Sequence, residues 1–160
     1  MARAVADAWA VPHADVDDYF WLPTDPPYRE KRPERERVML MERLFVPREA
    51  WVVSGSMLGW GNPVMARCDA VVFLTLDTAV RLRRIEEREL VRRGSGPVDE
   101  LALGAFLDWA RGYDDPSFEG RSRARHEDWL ATLKCPLLRL DSARSRESLR
   151  DEVLAWEPTS

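Results

Sequence analysis

Ala70-Val71-Val72-Phe73-Leu74-Thr75-Leu76 is apolar at every position but Thr75, and Asp77 closes it. A strand exposed on one face alternates, whereas a continuous apolar run is the habit of a strand covered on both faces in a parallel sheet. Asp77 is then placed to cap a helix running to about Arg93. Working outward, Trp51-Val52-Val53 and Pro136 to Leu140 read as further compact strands, and Val11 to Asp17 as a short one. Helices are predicted over residues 2–10, which are Ala-rich without a capping signal, and from about Glu34, where Val38, Met41, Leu44 and Phe45 share a face. Leu103, Phe106, Leu107 and Ala110 mark another that stops near Gly112. Two more run from Arg121 to Leu133 and from Glu147 to Trp156, the latter with Leu149, Val153 and Trp156 inward. Pro23, Pro26, Pro27 and Pro33 exclude regular structure between Tyr19 and Pro33, and Gly94-Ser95-Gly96-Pro97 breaks the chain. Strand and helix alternate throughout. The expected class is α/β, a parallel sheet with flanking helices and right-handed crossovers.

At 160 residues the chain fits one domain, read over 1–156 with a tail at 157–160. Its 45% hydrophobic and 32% charged residues exclude wholesale disorder and collagen-like repeats. No apolar run approaches the roughly 18 residues of a membrane span, and Asp7 interrupts the stretch a signal peptide would need, so a cytoplasmic protein is expected. Cys68 and Cys135 have neither paired nor metal-like spacing and are read as core fillers. A net charge of −4 disfavours nucleic acid as a partner. All 24 basic residues except Lys31 and Lys134 are arginine, so any bound phosphate would meet guanidinium forks.

Ligands of α/β sheets sit outside the carboxyl ends of the strands, and four stretches qualify. In Asp15-Val16-Asp17-Asp18, period two would put His13, Asp15 and Asp17 on one side of an extended chain. One carboxylate would hold a hydrated Mg²⁺ and the other would accept a proton from a substrate hydroxyl. Ser54-Gly55-Ser56, with Gly59 and Gly61, reads as a turn lining the substrate side; it is no Walker loop, because no lysine follows it. Arg81, Arg84, Arg88 and Arg92 form a stripe on one helix, of which Arg84 and Arg88 are the phosphate candidates. Arg121, Arg123 and Arg125 follow a Gly- and Pro-containing stretch from Gly112 that would close over a phosphoryl group. Trp21 and Trp60 would form an aromatic wall for a ring-shaped acceptor, while His13 and His126 read as packing residues.

From residue 2 to about 156 the chain resembles a P-loop kinase of the nucleoside and nucleotide kinase type, the small adenylate-kinase-like proteins often labelled AAA-family ATPases. Four stretches carry the resemblance: Asp15 to Trp21, Trp51 to Ser56, Val71 to Asp77 followed by Arg84 and Arg88, and Tyr113-Asp114-Asp115-Pro116 with Arg121-Ser122-Arg123. Asp17-Asp18-Tyr19-Phe20 is similar to the Asp-x-Phe-Tyr of uridine kinases, and Asp15-Val16-Asp17 to the Asp-x-Asp of shikimate kinases. The resemblance implies ATP and Mg²⁺ as cofactors, Asp17 as base toward the acceptor, Asp15 near Mg²⁺ through water, and a lid at about residues 94–125. It also implies a first strand, central in the sheet, and a Gly-x-x-x-x-Gly-Lys-Ser/Thr loop, neither of which residues 1–160 contain. The expectation is therefore a phosphotransferase acting on a small hydroxyl or phosphate acceptor, whose loop a start-site error or a deletion has removed; the codons upstream of Met1 decide between these. The alternative is a degenerate, non-catalytic module that binds a nucleotide or a protein and completes its sheet by self-association. An arginine-rich RNA-associated protein is the third and weakest reading.

Overall fold

Five of the eight helices described start at a short polar side chain in the capping position, Asp77 among them as expected. The computed structural model describes residues 1–94 and 99–159. Its helices are α1 (Ala2–Trp9), α2 (Val16–Phe20), α3 (Glu34–Leu44), α4 (Asn62–Met65), α5 (Thr78–Arg93), α6 (Glu100–Arg111), α7 (Arg123–Leu130) and α8 (Arg146–Ala155). Asp15, Asp77, Asp99, Ser122 and Ser145 each accept a backbone N–H in the first turn of α2, α5, α6, α7 and α8. Each such cap is worth about 1 kcal/mol to its helix.

The strands are β1 (His13–Asp15), β2 (Val52–Ser54), β3 (Val71–Thr75) and β4 (Leu137–Asp141). They form two short parallel sheets, β1 with β2 and β3 with β4. The Val71 N–H donates to the Pro136 carbonyl at one end of the second pair, and the Ser142 N–H to the Thr75 carbonyl at the other. The protein is thus mixed α/β with parallel strands. The expected full burial of the apolar strands is not met: every residue of β2 and β3 is half-buried except Leu74, which is 39% exposed.

The chain divides into two compact units, one of residues 1–72, 135–138 and 144–160 and one of residues 73–134 and 139–143. In the first, α1 packs on β2 and α8, burying Val5 and Ala6 on one side and Leu149 and Val153 on the other. The buried row of α3 is Arg37, Met41 and the following Phe45. Val38 and Leu44 were expected on that face, yet Val38 is half-buried and Leu44 is 56% exposed. The second unit has a thinner apolar core, with Ala110, Leu130 and Leu140 buried beside Ser122 and His126. The Ser95-Gly96-Pro97 part of the expected chain break, the adjoining part of the expected lid, and Ser160 lie outside the described residues. No helix among the described residues is long and apolar enough to cross a membrane.

Candidate functional site

Parallel pairing places the ends of β1 and β2 side by side, with His13 opposite Val52, Ala14 opposite Val53 and Asp15 opposite Ser54. Asp15 and the Ser54-Gly55-Ser56 turn therefore share the carboxyl edge of that sheet. The extended geometry expected of Asp15 and Asp17 does not occur, because β1 ends at Asp15 and α2 begins at Val16. Capping overrides the period of two: Asp15 Oδ1 accepts the Asp17 N–H at 3.1 Å. Asp17 and Asp18 are exposed in the first turn of α2, where the helix dipole favours carboxylates.

Below this edge, His13 Nε2 lies 3.0 Å from Ser54 Oγ, and its Nδ1 is buried without a hydrogen-bond partner. Gly55 has φ +112°, and a Cβ there would lie 2.7 Å from Val16 Cβ. The space beside Gly55 is filled by Val16. Gly55→Ala is expected to destabilise the first unit by about 2 kcal/mol or more, combining overpacking with a left-handed backbone. Urea denaturation checks this, since an unchanged midpoint would mean the turn moves freely off α2.

Trp21 and Trp60, expected as an aromatic wall, both meet Phe20, at ring-centroid distances of 4.9 Å and 6.1 Å. Trp60 also lines an open groove of about 720 Å³ with Glu34, Val38, Gly59 and Asn62 among its other walls. Arg37, which the sequence reading passed over, stacks on Phe20 and Trp60.

In the second unit the structure gathers a different set. Asp114, in a 3-10 turn (Gly112–Asp114) after α6, accepts from the Thr78 hydroxyl, from Arg81 Nη2 at 2.7 Å and from Arg123 Nε at 2.6 Å. The Tyr113 ring lies against both guanidinium groups, 4.9 Å from Arg81 and 5.8 Å from Arg123. Burial would raise the Asp114 pKa, but the hydrogen bonds from Thr78, Arg81 and Arg123 outweigh it and hold it down to about 2. Of the arginines nominated from sequence, Arg123 alone joins this cluster. Arg84 donates to the Ser142 carbonyl, Arg88 pairs with Glu89, Arg121 stacks over Trp109, and Arg125 donates to the Glu119 and Gly120 carbonyls. Thr78, Arg81 and Asp114 were not among the nominated site residues, because no local spacing links positions so far apart in the chain.

Beside the cluster, the Tyr113 hydroxyl lies 3.0 Å from Nδ1 of the buried His126. Burial, and then the charge of Arg121, lower the His126 pKa to about 4. An unfolded histidine titrates near 6.5, so between about pH 6.5 and 4 the unfolded chain binds more protons than the folded one. Stability from this group is whole above that window and falls through it, by about 3 kcal/mol in all. His126→Phe is expected to flatten that part of the stability-versus-pH curve in denaturant titrations, and an unaltered slope would contradict the assignment.

Cys68 and Cys135 are free thiols, both half-buried, and burial pushes Cys68 up to about 12. Among the described residues no three His, Cys, Asp or Glu side chains gather as a metal site.

Compared with known proteins, the chain is 38% identical over 151 residues to "Uncharacterized protein YqaC" of Bacillus subtilis (strain 168), a match that covers 90% of this chain and 82% of that one. The chain belongs to the YqaC family. No family model and no solved structure matches it. In this YqaC-family chain, then, two arrangements can do chemistry, each within its own unit. One is an acidic sheet edge backed by aromatic rings; the other is an arginine pair held on a carboxylate.

Proposed function

We propose that the chain is the acceptor-binding and arginine-bearing part of a P-loop phosphotransferase acting on a small molecule with a hydroxyl or phosphate acceptor. The observation that carries this reading is the register of β1 and β2, which sets Asp15 beside Ser54 at the carboxyl edge with Asp17 in the adjoining first turn. In this reading Asp17 orients an acceptor hydroxyl and takes its proton, while Asp18, Ser54, Gly55, Ser56, Trp21 and Trp60 shape the acceptor's surroundings. Arg81 and Arg123 are the arginines suited to phosphoryl oxygens, since their hydrogen bonds to Asp114 already display oxyanion geometry. The P-loop topology is part of the same proposal. Among the described residues each of the four strands pairs on one side only, which leaves each with an edge open to a further strand.

Residues 1–160 do not fit ATP by themselves. They contain no Gly-x-x-x-x-Gly-Lys-Ser/Thr, and the glycine of the Ser54 turn makes room for Val16 rather than for a phosphate. Asp15 is a single carboxylate engaged as a cap, suited at most to a water-mediated contact with Mg²⁺. The test is acceptor-stimulated ADP formation, measured on residues 1–160 and on the same chain preceded by its in-frame upstream sequence. Turnover is expected only when a strand and loop precede Met1. Robust turnover by residues 1–160, or an upstream reading frame with no such segment and no partner supplying it, would count against the proposal.

A further inference from the structure

Helix α6 is apolar nearly all the way round: Glu100, Asp108 and Arg111 are its charged residues, and of the twelve positions only Ala110 is buried. A helix of that composition ordinarily lies inside a core. Here Leu101 is 88% exposed, and Ala102, Ala105 and Trp109 are exposed with it. Leu101, Ala105 and Trp109 follow one another at four-residue spacing, so they form one continuous outward strip. Helix α5 packs against α6 and leaves Leu90 and Val91 open as well, the latter 82% exposed. The unit that carries both helices buries, among its described residues, three apolar side chains, Ala110, Leu130 and Leu140. Scattered apolar residues on a surface are ordinary, whereas a continuous set marks a contact face.

The charges of α6 say what covers that face. Glu100 opens the helix and Arg111 ends it, and a separation of eleven residues is about three turns, so both stand along one border of the strip. A second copy of the helix laid antiparallel sets each Glu100 beside the other's Arg111 and brings opposite ends of the two macrodipoles together. A parallel copy would set like charges against each other. Glu100 has no hydrogen bond or ion pair among the described residues. Arg111 donates to Asp108 from Nη1 alone, in an exposed pair that holds it weakly and leaves its other N–H groups open. The strip is also low enough for a second backbone: a Cβ built at Gly104 would meet nothing within 4 Å, and Ala102 and Ala105 lie beside it.

We infer that α6 is a self-association surface, which pairs antiparallel with α6 of a second copy of this chain about a two-fold axis, and that the apolar residues α5 exposes add to the contact. Each copy then offers the same patch to the other, as a closed dimer requires. With Glu100 opposite Arg111, the axis passes between Ala105 and Phe106. The contact is made by helices and not by the open sheet edges, and it does not depend on the phosphotransfer reading.

Sedimentation equilibrium of the full chain tests the pairing. The mass is expected to rise with concentration to twice that of the monomer, and Leu101→Glu to weaken the dimer at least tenfold. Because Leu101 is exposed, that variant should keep the helical circular dichroism of the parent. Cross-linking tests the direction, with Cys68 and Cys135 replaced by serine. Ala105→Cys, next to the axis, is expected to form a disulfide-linked dimer on mild oxidation, and Leu101→Cys, far from the axis, to form little. A chain that stays monomeric up to about 0.5 mM would overturn the inference. So would a dimer indifferent to Leu101→Glu, which places the contact elsewhere, or cross-linking through Leu101→Cys as ready as through Ala105→Cys, which contradicts the antiparallel arrangement.

Discussion

Asp17→Asn is expected to lower acceptor phosphorylation by about 10²–10⁴-fold, the usual contribution of a positioned general base. Asparagine is nearly isosteric and keeps the backbone N–H that Asp15 Oδ1 accepts, so the cap of α2 survives the change. Loss of stability should therefore be small, and the rate of acceptor-independent ATP hydrolysis should be unchanged. Asp15→Asn differs in kind. Asparagine is itself a good cap, so that variant tests the carboxylate charge without dismantling the helix start. A loss confined to Asp15, with Asp17→Asn fully active, would reverse the roles assigned to the two acids.

Asp114→Ala carries the largest expected structural effect, because it strips the shared acceptor from Thr78, Arg81 and Arg123 together. The side chains of Arg81 and Asp114 are 19% and 27% exposed, and Arg81 Nε is already buried without a partner. Two guanidinium groups would be left facing one Tyr113 ring with no counter-charge. Breaking a fully buried pair costs about 3–5 kcal/mol, and partial exposure brings the expected loss here to about 2–3 kcal/mol. The melting temperature should fall by roughly 5–10 °C. Glu127→Ala is the contrast: its bidentate pair with Arg139 is exposed, so its loss should cost below about 1 kcal/mol. Inorganic phosphate should raise the melting temperature of Asp114→Ala more than that of the parent, since it can take the vacated place between the arginines. Equal effects of phosphate on both would argue that these arginines serve packing alone.

What could be read along the chain was what local physics decides. Asp77 lies next to an apolar run and two residues before the N–H it caps, so strand and helix were both legible there. Asp15 misled for the same local reason. Alternation and capping both predict an acid at that position, and only the structure shows that the helix begins one residue later. Leu44 was expected inside and lies outside, because Arg37 holds the buried row by stacking on Phe20 and Trp60, rings far away in sequence. The surplus of tryptophan was the available clue, and a charged residue four positions before Met41 was the place to look. Of the Asp114 cluster, Arg81 stood in the arginine stripe and Asp114 and Arg123 in one of the stretches singled out, but nothing along the chain joined them. The partners of Asp114 lie 36, 33 and 9 residues away, and an arginine-rich chain offers many equivalent pairings until the backbone selects among them.

Following the γ-phosphoryl group of labelled ATP is the most direct test of phosphotransfer by this protein, assayed with its in-frame upstream sequence and a mixture of small alcohols, phosphomonoesters and hydroxy acids. Label is expected on a small organic acceptor in an Asp17-dependent manner. Label recovered solely as inorganic phosphate, at the same rate with Asp17→Asn, would contradict it.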